Sequence, residues 1–288
     1  MRVLYATDGS ESANAAGEVI VAAADRAGVE VSVLSVVPTG MPTIKHLPEA
    51  LRSADERREY ARRVVSQAGE RLRGEGFAVD EVLTDGRPDE AIAAAAERRR
   101  ADLVAVGAGP RSTIVGRVLG SVTTALLPRR LALLVARDTP AGPPVRVVIG
   151  TDGSEHATRA VELAARFLDP TRCEVTVVSV AVLIVATPDA PYGGYATAAF
   201  DEASEREVTE PARQHVEQAA GILRSAGFAP HTTVVMGHPV KRLLGVAADV
   251  DASLVVVGRR GLSYPDRVFL GSVSDQIVRQ APATLVAG

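Results

Sequence analysis

Residues 146–157 read RVVIGTDGSEHA, and residues 2–13 read RVLYATDGSESA. Eight of the twelve positions are identical, at an offset of 144. Each segment is an apolar run ending in Thr-Asp-Gly-Ser. That is the pattern of a strand buried on both faces, followed by a helix whose first turn is capped by serine. Working outward, further matches recur at an offset of 151. Leu72-Arg73-Gly74-Glu75-Gly76-Phe77 answers Leu223-Arg224-Ser225-Ala226-Gly227-Phe228, and Gly86-Arg87-Pro88 answers Gly237-His238-Pro239. Ala101–Gly107 answers Ala252–Gly258, and Leu119-Gly120-Ser121-Val122 answers Leu270-Gly271-Ser272-Val273. The repeat is therefore a whole domain. The change of offset, 151 − 144, leaves seven extra residues in the second copy, after its second strand. The expected domains are 1–138 and 145–288, joined by the Pro-rich, semi-rigid segment Asp138–Pro144.

Within each copy the period alternates between strand and helix. In the second, strands are expected at Val145–Thr151, Val175–Val180, Thr232–Met236, Leu254–Gly258 and Thr284–Ala287. Helices are expected over 155–168, through Ala212, Val216, Ala219 and Leu223, over Pro239–Asp249, and from about Ser272. The stretch Thr187–Phe200 reads as irregular and turn-rich, either a flap on the ligand side or a plain surface loop. The first copy follows the same order, with strands near 2–7, 31–37, 79–84, 102–107 and 131–136. Repeated βαβ units give an α/β fold with a parallel sheet, helices on both faces and right-handed crossovers.

Composition narrows the function. The chain has 288 residues, 47% apolar and 23% charged, with Lys+Arg 32 against Asp+Glu 35 and a net charge of −3. A basic footprint for nucleic acid is missing, and Arg98-Arg99-Arg100 reads as a solvated helix end. Aromatics are 3%, so the cores are expected to be built from Ala, Val and Leu. Cys173 is the single cysteine, which excludes an intrachain disulfide and a cysteine-based zinc site. His46, His156, His215, His231 and His238 show neither H-x-x-x-H nor H-E-x-x-H spacing, so no zinc or general-base role is assigned to them. The longest apolar run, Val175–Ala186, is too short for a membrane span of roughly 20 residues. The chain opens directly on a strand without a signal-peptide pattern, so a cytoplasmic location without membrane association is expected.

In an open parallel sheet, ligands bind beyond the carboxyl ends of the strands, where the strand order reverses. Three segments fall at such ends: Thr151-Asp152-Gly153-Ser154, Gly237-His238-Pro239, and Gly258-Arg259-Arg260-Gly261 with Gly271-Ser272 nine residues further on. Glycines at 258 and 261 let a ligand approach the backbone, and Gly271-Ser272 opens a helix whose free N–H groups suit phosphate. No lysine follows in the Walker pattern, and no dinucleotide fingerprint follows strand one. Arg259 and Arg260 read as solvated loop residues, with bidentate contact to phosphate as the alternative. Asp8 and Asp152 also have a plain reading as helix-capping residues.

These segments, in this order and repeated, resemble the universal stress protein family over essentially the whole chain, twice. The family motif G-x2-G-x9-G-[ST] is matched by Gly258, Gly261, Gly271 and Ser272, and its Asp in a D-G-S context by Asp8 and Asp152. The resemblance implies a five-stranded parallel sheet in the order 3-2-1-4-5 in each domain. It also implies pairing of two domains through their fifth strands by a pseudo-two-fold, within the chain here, with a homodimer as a further arrangement. It implies an ATP site, with or without Mg²⁺. Thr151 and Asp152 would lie near ribose and adenine, Val180 would offer backbone groups to adenine, and Gly237 would contribute through its backbone. Gly258, Gly261, Gly271, Ser272 and Val273 would hold ribose and phosphates. In the first copy the matching positions are Asp8, Val36, Gly107, Gly120 and Ser121, but Pro110 replaces the second motif glycine and removes an N–H donor.

The resulting expectation is an ATP-binding regulator of stress response that acts on an unidentified protein partner, without efficient catalysis but compatible with slow ATP hydrolysis. Two alternatives stay open: an adenine-nucleotide hydrolase or adenylating enzyme of related fold, and a nucleotide-free scaffold. The chain shows no acidic pair beside the phosphate loop, no evident base and no phosphate-loop lysine.

Overall fold

The computed structural model describes residues 1–39, 53–109, 119–182, 184–187, 190–195, 202–261 and 270–288. The chain divides into two units, Met1–Pro140 and Ala141–Gly288. The division falls inside the Pro-rich segment.

Unit 1 runs β1 (Arg2–Ala6), α1 (Glu11–Ala23), β2 (Glu30–Pro38), α2 (Ala54–Gly74), β3 (Ala78–Gly86), α3 (Pro88–Arg99), β4 (Leu103–Gly107), α4 (Ser121–Leu126) and β5 (Leu133–Ala136). Its strands are parallel in the order β5-β4-β1-β2-β3. Unit 2 runs β6 (Val145–Gly150), α5 (Glu155–Phe167), β7 (Cys173–Ala181), β8 (Ile184–Thr187), β9 (Ala190–Tyr195), α6 (Glu202–Ser225), β10 (His231–Met236), α7 (Pro239–Asp249), β11 (Leu254–Gly258), α8 (Ser272–Gln280) and β12 (Ala283–Ala287). Its main strands are parallel in the order β10-β7-β6-β11-β12. Counted within each copy, both orders are 3-2-1-4-5, the α/β architecture the resemblance implied.

The central strands are apolar on both faces because helices cover both. Leu254, Val255, Val256 and Val257 of β11 are all buried, as are Leu103, Val104, Ala105 and Val106 of β4. In unit 2, α5 packs on β11 and β12, α6 on β7 and β10, and α7 on β6 and β7. Serine starts the first helix of each unit. The Ser10 side chain accepts from the Ala13 N–H, and that of Ser154 from the Ala157 N–H. The arginine run ends α3 as expected, with Arg98 and Arg100 exposed and Arg99 bound to Asp80.

The two cores solve the same contact with different volumes. Tyr5 of β1 is buried, and its Oη donates to Ala13 O at 2.9 Å. A methyl group at Gly17 would lie 2.8 Å from Tyr5 Oη. Unit 2 has Ile149 and Val161 at the matching positions, both buried. A large–none pair has become a medium–medium pair, and both keep the contact filled.

One expectation is corrected. The segment read as irregular contains strand β9 and the last residue of β8, which pair antiparallel, Ile184 with Tyr195 and Val185 with Gly194. Cross-strand pairing to β8, whose Ile184 and Val185 favour strand, holds β9 extended despite the Pro and Gly that suggested coil. Residues 188–189 and 196–201 of the expected flap lie outside the described residues, as do Pro110, Met41 and His46.

Candidate functional site

In unit 2 the chain passes from β6 outward to β7 and β10, then returns to the other side of β6 to form β11 and β12. The order therefore reverses between β6 and β11, and the loops at their carboxyl ends flank that switch point. The loop after β6 is Thr151-Asp152-Gly153-Ser154. The loop after β11 begins with Arg259-Arg260-Gly261.

The first loop is held by its own polar groups. The Thr151 N–H donates to Val178 O at 2.9 Å, which extends the β6–β7 ladder by one residue. The Gly153 N–H donates to Thr151 Oγ1 at 3.3 Å, and the Ser154 N–H donates to Asp152 Oδ1 at 3.1 Å. The turn needs φ +75° at Gly153, a conformation L side chains rarely adopt. His215 of α6 packs against the same glycine, with Nε2 about 2.5 Å from where a methyl group would sit. Asp152 thus acts as a turn acceptor just before the helix, whose cap is Ser154 and not Asp152, while its Oδ2 lies beside Gly261 in the second loop.

The second loop is tied to the first and to α8. Ser154 Oγ donates to Arg260 O at 3.4 Å. A methyl group at Gly261 would overlap Asp152 Oδ2, so Gly261 and Asp152 stand side by side. The Gly271 N–H donates to Arg259 O at 2.8 Å. Ser274 Oγ donates to Gly258 O at 2.6 Å and lies 3.1 Å from Arg259 O. Gly271 is the N-cap of α8 and supplies no side-chain cap, so the helix starts with first-turn amides at Ser272, Val273 and Ser274 directed out of its end.

Gly258 has a packing task that sequence did not suggest. A methyl group there would lie 2.7 Å from Ala157 N and 2.8 Å from His156 C, in the first turn of α5. Gly107 meets α1 in the same way, with Ala13 N and Ser12 C both at 2.5 Å. The glycine that ends the fourth strand is required by helix-on-strand packing in both units. Arg259 is a second correction, being 2% exposed rather than solvated. Burial first, and the neighbouring Arg260 charge second, hold its guanidinium below its ordinary pKa. Burial, followed by the Arg260 charge, also lowers the His156 imidazole.

The remaining residues sit further out on the same end of the sheet. Val180 is next to last in β7 and pairs with Val235. Gly237 follows β10 with φ +131°, and its N–H donates to Ala181 O at 3.1 Å. In unit 1, Asp8 Oδ1 accepts from the Ser10 N–H at 2.9 Å, Val36 pairs with Thr84, Gly120 caps α4 and Ser121 begins it. The copies differ in the loop after the fourth strand. Gly109 has φ +102°, and a methyl group on it would overlap the Gly120 backbone, whereas the matching residue 260 is an arginine without positive φ. The helix that follows has six residues in unit 1 and nine in unit 2. Tyr60 Oη of α2 also donates to Asp8 O at 3.3 Å, where unit 2 has Pro211.

Sequence reading missed Ser274 and its counterpart Thr123, whose Oγ1 donates to Gly107 O at 2.7 Å. The available signal was a hydroxyl residue three positions after the motif glycine in both copies.

The model of the universal stress protein family matches residues 1–129 and again 145–287. The chain belongs to that family, in tandem form. It is 34% identical over 146 residues to a universal stress protein of Mycobacterium bovis, covering 47% of this chain and 45% of the relative. The chain thus matches about half the length of that curated relative. It is 28% identical over 142 residues to one from Thermus aquaticus, covering 49% of this chain and 95% of the relative. The crystal structure of a universal stress protein from Archaeoglobus fulgidus shares the fold, with a TM-score of 0.68 at 23% identity over 99% of this chain and 97% of that one. Among the described residues no helix is long and apolar enough to cross a membrane.

Proposed function

We propose that unit 2 binds an adenine nucleotide, ATP, at the β6/β11 switch point, and that occupancy regulates the protein's interaction with a partner in stress response. The observation that carries this reading is the junction of the D-G-S loop and the glycine loop at the uncapped start of α8. An uncapped helix start beside glycine backbone suits an oligophosphate. In this reading the Gly261 backbone and the first-turn amides of Ser272 and Val273 take the phosphates. Asp152 takes a ribose hydroxyl, and the backbone at Val180 and Gly237 borders the base. Ser274 holds the loop by its carbonyls and does not touch the ligand. Residues 258–261 and 271–273 contain neither lysine nor carboxylate, and we ascribe no efficient hydrolysis to them. The left-handed Gly109 beside Pro110, the shorter α4 and the Tyr60 contact support one nucleotide per chain, held by unit 2.

Native mass spectrometry of protein purified without added nucleotide, followed by ATP calorimetry, tests the reading. Retained adenine nucleotide, or saturable heat at one ATP per chain, supports it. Protein that is empty and silent to millimolar ATP contradicts it, and steady release of product would favour an enzyme.

A further inference from the structure

The two units end in third strands of opposite character. Unit 1 ends in β3, with Asp80, Glu81 and Asp85 along it. Each carboxylate is engaged by a helix arginine: Asp80 by Arg99, Glu81 by Arg73 at 2.7 Å, and Asp85 by Arg58 at 2.7 Å. Charged groups of this kind protect an edge strand from pairing with another chain. Unit 2 ends in β10, which reads His231-Thr232-Thr233-Val234-Val235-Met236 and pairs only with β7 among the described strands. At the offset of 151, His231 replaces Asp80, Thr232 replaces Glu81, and Met236 replaces Asp85. His231 and Thr232 are exposed, and the other four residues are half-buried. The same element, duplicated in one chain, has kept its carboxylates at one edge and lost all three at the other.

We propose that the outer edge of β10 is a self-association surface, where a second copy of this chain lays its own β10 antiparallel across a two-fold axis. The strand suits itself. Antiparallel matching about the axis sets Val234 of one copy opposite Val234 of the other, and Thr233 opposite Val235, so β-branched residues face each other without like charges. A two-fold contact closes on a dimer, while a head-to-tail contact from β10 to β3 would strip water from three carboxylates already engaged with arginines. β10 lies at the opposite edge of unit 2 from β12, so this surface is separate from any pairing through fifth strands. It is also independent of nucleotide binding.

Sedimentation velocity over a concentration series, with amide hydrogen exchange on the same samples, tests the proposal. The wild-type chain is expected to pass from monomer to dimer as exchange slows at residues 232–236. Thr232→Lys, whose ammonium can pair with Glu217 on α6 (Thr232 Oγ1 already lies 3.5 Å from Glu217 Oε1), is expected to stay monomeric with an unchanged Tm. Met236→Asp restores the unit 1 carboxylate and should act alike, which covers the case in which one variant folds poorly. The proposal is overturned by a wild-type chain that stays monomeric throughout. A dimer that survives both substitutions, or one that forms with no slowing of exchange in β10, overturns it as well.

Discussion

Gly258 and Gly261 belong to one motif, yet alanine at each should do opposite things. A methyl group at 258 meets backbone, Ala157 N at 2.7 Å and His156 C at 2.8 Å, and backbone in a helix cannot swing aside. Helix α5 must retreat by several tenths of an ångström from the sheet it covers. Overpacking of this kind costs about 1–3 kcal/mol, which in a unit of this size lowers Tm by roughly 3–10 °C. A methyl group at 261 meets only Asp152 Oδ2, the end of a half-buried side chain that can rotate toward water. The fold should then lose under about 1 kcal/mol. The displaced carboxylate can no longer serve a ribose hydroxyl, however, and a hydrogen bond to a charged group contributes about 1.5–3 kcal/mol. ATP affinity should fall roughly 10- to 100-fold. Differential scanning calorimetry and ATP titration of both variants give the readouts. If Gly258→Ala left Tm unchanged while Gly261→Ala bound ATP normally, the division of labour argued here would be wrong.

Other outcomes follow from the same contacts. Ser274→Ala removes a donor from the half-buried Gly258 carbonyl, while Arg259 O keeps the Gly271 N–H, and should destabilise unit 2 by about 0.5–1.5 kcal/mol in denaturant melts. Burial pushes the Tyr5 phenol up to about 12. Folding therefore favours its protonated form, so the associated stability is complete below the unfolded value near 10 and is lost between there and about 12. In an ultraviolet titration, Tyr5→Phe should remove an ionisation step near pH 12. Burial likewise raises the Cys173 thiol to about 12, so a thiol reagent should label the native chain far more slowly than the unfolded one.

The fold was legible because duplication printed each element twice. The strand–turn–helix at Arg2–Ala13 and at Arg146–Ala157 reads alike, and buried parallel strands leave an apolar signature that needs no tertiary information. Boundaries were less legible. The β8–β9 hairpin hid because Pro188, Gly193 and Gly194 suggested coil, while its pairing is set by contacts absent from local composition. At the site, spacing picked out two loops that the structure sets side by side, but it could not divide their labour. A glycine required by a helix backbone, Gly258, and one set against a carboxylate, Gly261, look identical in a motif. Arg259 was misread because burial depends on what surrounds a loop, and charge alone suggested solvent. Ser274 was overlooked because its two hydrogen bonds reach back 15 and 16 residues, beyond any helical or strand period.

The most direct test of the central claim is an amide nitrogen–proton correlation spectrum recorded as ATP is added. The account predicts saturable shifts concentrated at Thr151–Ser154, around Val180, at Gly258–Gly261 and at Gly271–Ser274, with the matching amides of unit 1 little changed. Saturating ATP that moves none of these resonances, or moves a cluster elsewhere in the chain, would contradict it.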